Sequence, residues 1–75
     1  MTLAELGQTL GDAYQNAKEG EKVVTIHLFG IRYADQIEAS GAIAKEIAKE
    51  AGIPDSYGTE IQKGVHLAKF VSLKA

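Results

Sequence analysis

The sequence contains no cysteine and no tryptophan, and only one proline and one methionine. Without cysteine there is no disulfide, no thiolate nucleophile and no zinc-finger-type ligand set, so a fold must rest on apolar packing or on oligomerisation. No apolar run approaches the ~20 residues of a membrane span. The start Met1-Thr2-Leu3-Ala4-Glu5 has no basic region followed by an apolar stretch, so neither anchor nor signal peptide is evident and a cytoplasmic protein is expected. A basic excess is missing too: eight Lys+Arg against ten Asp+Glu give a formal charge of -2 at pH 7, without the overall positive balance of many nucleic-acid binders. What remains is 75 residues, 45% of them hydrophobic, enough for one domain (1–75) with one core. Multi-domain enzymes are excluded, and no internal repeat or low-complexity tract is present.

Thr2 followed three residues later by Glu5 is a capping-box arrangement and marks a helix start. Leu3, Leu6, Leu10, Ala13, Tyr14 and Ala17 then recur at three- and four-residue steps. Gly7 and Gly11, four apart on this helix, either weaken it or permit close approach of another helix, and close packing is the favoured reading. After the charged connection Lys18 to Lys22, the segment Val23 to Ile37 has strand-type residues at its start but is too long for an ordinary strand. Its length favours a single, central helix. The alternative is a strand ending at Gly30, followed by a short helix from Tyr33 to Glu38.

Glu38 to Gly41 is a connection in which Ser40 is positioned as an N-cap. In the third helix Ile43, Ile47 and Ala51 form one stripe flanked by Ala44 and Ala48, with Lys45, Glu46, Lys49 and Glu50 on the other side. Gly52 sits where a left-handed cap closes a helix, and Pro54 cannot extend it. Asp55 or Ser56 then caps a fourth helix running to Lys63, with Gly64 ending it. From Val65 to Lys74 apolar residues alternate at period two, which favours a short extended segment over a further helical turn and a half. The expected fold class is therefore all-α, a small four-helix domain with a C-terminal extended tail.

The stretch Ile43 to Gly64 resembles a helix-turn-helix. Ala48 is small where the second helix crosses, Gly52 supplies a positive φ, and Ile47, Ile53 and Ile61 close the corner. The order Ala51-Gly52-Ile53, a polar cap region, then Ile61 and Gly64 is similar to the bihelical unit of repressor-type transcription factors. Gly58 departs from that pattern, which usually has a branched apolar residue there. A glycine loosens the helix by ~1 kcal/mol and leaves less to pack. The chain as a whole, especially Glu21 to Ala34 and Ala51 to Gly64, also resembles short bacterial proteins described as helix-turn-helix-like. This second resemblance implies a presumed DNA-binding role without an assigned process, and the repressor-type pattern implies a transcriptional regulator. Such corners also serve purely in protein contacts.

Charge is unevenly placed. Residues 56–75 hold Lys63, Lys69 and Lys74 against Glu60 alone, a balance of +2, whereas residues 1–55 carry five basic and nine acidic side chains. Lys45, Lys49, Lys63 and Lys69 are thus the expected phosphate contacts on duplex DNA. Ser56, Tyr57, Thr59 and Gln62 offer hydrogen-bonding groups, and Glu60 can accept from a cytosine amine, although a solvated acid is the commoner case. So few lysines give a thin grip, which makes a homodimer or a protein partner an expectation. The alternative is an interaction or oligomerisation module that uses the same corner without DNA.

Nothing points to an enzyme. His27 and His66 lie 39 residues apart without a nucleophile motif. His27 reads as a hydrogen-bonded boundary histidine and His66 as an exposed one. The glycines follow no phosphate-loop spacing, so nucleotide binding has no support. No other cofactor, metal, small-molecule substrate or membrane partner is expected. Arg32 and Asp35, three apart, are placed to pair. Among the aromatics, Tyr14, Phe29, Tyr33 and Phe70 are expected in the core and Tyr57 at the surface.

Overall fold

In the computed structural model, which describes residues 1–73, Thr2 caps the first helix in both directions. Its Oγ1 accepts from the Glu5 amide at 3.1 Å while its own amide donates to Glu5 Oε1 at 2.8 Å. Helix α1 follows over Leu3–Asn16 and buries Leu6 and Leu10. At its other end the Lys22 ammonium donates to the Tyr14 carbonyl at 2.8 Å and sits 4.7 Å above the Tyr14 ring. A cation thereby complements the negative end of the helix dipole.

Beyond Lys22 the chain is helical throughout the ambiguous region, but in two pieces. Helix α2 spans Lys22–Arg32 and α3 spans Ala34–Ser40. Tyr33, at φ -109° and ψ 18°, separates them. The hydrogen-bond chain passes through it, Tyr33 N to Phe29 O and Ile37 N to Tyr33 O, so the break is a redirection rather than a loop. It lets Ala34 and Ile37 bury their side chains as Ile26 and Phe29 do on α2. The single long helix is thereby corrected to two, and Arg32 and Asp35 fall on either side of the break. Ser40 is the last residue of α3, not an N-cap. Its hydroxyl donates to the Ile37 carbonyl at 2.8 Å and accepts from the Ala42 amide at 3.0 Å, bridging the turn at Gly41.

Helix α4, Ala44–Glu50, buries Ala44, Ile47 and Ala48. Ile43, expected in its apolar stripe, occupies the N-cap position and stays 60% exposed. The helix closes in a Schellman motif. Gly52 N donates to Lys49 O and Ile53 N to Ala48 O, with Gly52 at φ +78°. A short 3-10 helix, Asp55–Tyr57, leads into α5, Gly58–Leu67. Neither Asp55 nor Ser56 makes a side-chain cap bond to these helices.

Gly64 does not end α5. It lies buried inside the helix against Gly30 of α2, where an added Cβ would fall 2.9 Å from the Gly30 Cα and collide with the His27 carbonyl. Val65 to Leu67 are therefore helical, Ala68 to Phe70 form a turn, and residues 71–73 have no regular structure. The expected extended tail is reduced to those residues, and Lys74 lies outside the described ones.

The class is all-α, with five α-helices among the described residues where four were expected. Helix α1 packs on α4, α2 runs along α5, and α4 meets α5 at the corner. Glycines let backbones meet at each of these crossings. A Cβ at Gly11 would lie 2.9 Å from the Ala51 carbonyl oxygen, and one at Gly58 3.0 Å from the Lys45 Cα. Gly58 thus draws α5 onto α4 instead of loosening it. One core of Leu6, Leu10, Ile26, Phe29, Ile37, Ile47, Ile53 and Ile61 fills the space between the helices.

Candidate nucleic-acid interface

Helix α5 is fixed on one side and open on the other. Gly58, Ile61 and Gly64 are buried, whereas Thr59, Gln62, Lys63 and His66 are exposed. The 3.6-residue period does this directly, because 58, 61 and 64–65 return to the face covered by α2 and α4. The outer face carries no packing duty and is presented beyond the corner made by Ala48, Gly52 and Ile53.

Four of the expected contact residues, Lys45, Ser56, Thr59 and Gln62, are brought together around a hollow of about 360 Å³ between the start of α4 and the start of α5. Ile43 and Asp55 complete its rim. Lys45 Nζ stands 3.8 Å from Asp55 Oδ2, both side chains well exposed. Such a pair is held weakly and can be exchanged for another anion at little cost. Gln62 also borders a neighbouring depression with Lys63, His66 and Leu67. Lys49 in the last turn of α4 and Lys69 after α5 are exposed but line neither.

Two residues named from the sequence are engaged within the domain. Tyr57 is half-buried and packs its ring against Tyr14 of α1, centroids 6.0 Å apart, and the Tyr14 hydroxyl holds its phenol pKa above the usual range. Glu60 is half-buried and accepts from His27 Nε2 of α2 at 2.6 Å. Lys63 Nζ lies 3.4 Å from its other oxygen. The His27 hydrogen bond, helped by Lys63 and opposed by partial burial, holds the Glu60 carboxyl below its usual range. The carboxylate is thereby drawn toward α2 and away from the open face.

His27 has the boundary role the sequence implied, but its partner lies 33 positions away, and no local motif links the two. Ile43 had been counted as core. No local signal in the sequence marks it as exposed, because the helix starts one residue later than its apolar stripe suggests. The surface also carries Phe70, 72% exposed and 5.5 Å ring to ring from His66, where a core position was expected.

The family model described as HTH-like domain matches residues 2–74. The chain belongs to this family. Neither a curated protein nor a solved structure matches it. In this HTH-like domain the matched span takes in all five helices, so the corner of α4 and α5 belongs to a larger unit that includes α1 to α3. Among the described residues no helix is long and apolar enough to cross a membrane, and no group of three or more His, Cys, Asp or Glu is placed to hold a metal ion.

Proposed function

We propose that this HTH-like domain binds duplex DNA as a transcriptional regulator, with the outer face of α5 in the major groove. The observation that carries this reading is the division of α5. Its inner face is locked by Gly58, Ile61 and Gly64, and its outer face leaves Thr59, Gln62, Lys63 and His66 exposed, with contacts only to near neighbours in sequence. Ser56 extends that face at the entrance to the helix. Lys45 and Lys49 on α4, Lys63 on α5 and Lys69 beyond it hold phosphates on either side. Tyr57 and Glu60 act indirectly, Tyr57 by anchoring the turn to α1 and Glu60 by tying α5 to α2.

With about four phosphate contacts, the logarithm of the binding constant should fall with the logarithm of salt concentration at a slope of about -3.6. Fluorescence anisotropy with a random-sequence duplex at low and moderate salt tests this. Lys49→Glu and Lys63→Glu should each weaken binding and make the slope shallower by about 1, the change expected when one phosphate contact is lost. Binding indifferent to salt, or to both substitutions, overturns the reading.

A second reading is favoured by exposed apolar residues. Leu67 at the end of α5 and Phe70 and Val71 just beyond it are exposed, and so are Val23, Val24 and Leu28 on α2. Together they suit a contact with a second copy or with another protein. Sedimentation across a concentration series tests the homodimer, and Phe70→Ser should shift the equilibrium to monomer.

A further inference from the structure

The hollow between α4 and α5 combines two kinds of chemistry at its rim. Ile43 breaks two local rules at once: it occupies the N-cap of α4, where it makes no side-chain cap, and it leaves its side chain 60% exposed beside a core that has room for every other isoleucine except the half-buried Ile31. A residue that neither caps nor packs contributes little to the fold. Across the hollow stands Gln62. On the same helix the Thr59 hydroxyl is bound to the Ser56 carbonyl at 3.1 Å and the Glu60 carboxylate to His27 and Lys63. Among the described residues, the Gln62 amide makes no side-chain hydrogen bond, and of the α5 residues so placed, Gln62 and His66, it is the one that lines this hollow.

We infer that this hollow reads an A·T step, with the Gln62 amide on the adenine edge and the Ile43 side chain on a thymine methyl group. In the major groove adenine offers an acceptor and a donor, N7 and the N6 amine, which a primary amide matches with its own donor and acceptor. Thymine alone carries a methyl group there, and it takes apolar contact. Neither guanine nor cytosine presents a surface for Ile43. Lys45, freed from its weak pair with Asp55, lies on the same rim to hold the adjoining phosphate. The inference rests on the duplex-binding reading and adds to it a base preference.

The test uses three labelled duplexes of equal length in anisotropy titrations: one rich in A·T steps, the same duplex with every thymine replaced by deoxyuridine, and a G·C duplex. Uracil pairs as thymine does and lacks only the methyl group. Replacing thymine should weaken binding of the unmodified protein about four-fold, the worth of one buried methyl group. Ile43→Ala should bind the thymine and uracil duplexes alike. Gln62→Ala should lose about ten-fold on the A·T duplex and little on the G·C one. Both positions are exposed, and an unchanged thermal melt confirms that each variant folds. Equal binding of thymine and uracil duplexes by the unmodified protein, or a difference that survives in Ile43→Ala, overturns the inference while salt-dependent binding to all three leaves the duplex reading standing. If no duplex binds, both fall together.

Discussion

Gly30 and Gly64 meet where no larger residue fits. A Cβ at Gly30 would lie 2.6 Å from the Ile61 carbonyl oxygen and 2.8 Å from the Gly64 Cα, both backbone atoms that cannot swing aside. On propensity alone Gly30→Ala should stabilise a helix by about 1 kcal/mol. Here overpacking wins, and the variant should lose about 1–3 kcal/mol, read as a lower urea midpoint. An unchanged midpoint would mean that α2 and α5 do not approach this closely. His27 and Glu60 make a second test at the same crossing. The folded pKa of Glu60 is lowered, so its contribution to stability is present above the ordinary Glu value of about 4.3 and is lost as pH falls through the lower folded value. Glu60→Gln should therefore be less stable than the unmodified protein at neutral pH, and in denaturant titrations the gap should close as pH falls below the ordinary Glu range. The glycine contact was hidden in the sequence for a reason of its own. A glycine is written the same way whether it ends a helix or lets two helices touch, and Gly64 was read as the first and proved the second.

The capping box and the glycine turn after α4 were legible from neighbouring residues, whereas caps at Ser40 and at Asp55 or Ser56 were not, and elements set by distant residues left no mark. The capping box of α1 joins positions three apart, and the Schellman turn after α4 depends on Gly52 and the residues beside it, so both stood where the sequence placed them. Thr2→Ala should cost about 1 kcal/mol by leaving the Glu5 amide without its acceptor. In a domain of this size that corresponds to a melting temperature lower by about 4–8 °C, measurable by circular dichroism. The break at Tyr33 had no such local mark. Periodicity ran on through it, and only the need of Ala34 and Ile37 to reach the core redirects the chain. The period-two alternation after Gly64 misled in the opposite sense, because Val65 packs against the core from within a helix. For the candidate interface, the exposed positions of α5 followed from helical spacing, whereas Tyr57, Glu60 and Ile43 took places that depend on α1, α2 and the turn before α4.

At the scale of the whole molecule the charge is close to balanced, and the radius of gyration of 11.0 Å is that of a single packed unit of this length. On the proposed duplex-binding reading, electrostatic attraction to DNA would be local and short in reach, since at 0.15 M salt charges are screened over about 8 Å. Raising salt from 50 to 200 mM should reduce duplex affinity by about two orders of magnitude for four phosphate contacts, a change that the same anisotropy titration records. The glycine crossing beneath α5 bears on how such a domain diversifies. Because the helix is seated by backbone meeting backbone, its orientation is not encoded in the side chains it shows to solvent. Substitutions at exposed Thr59, Gln62 and His66 should therefore change what α5 displays while leaving its seat on α2 intact.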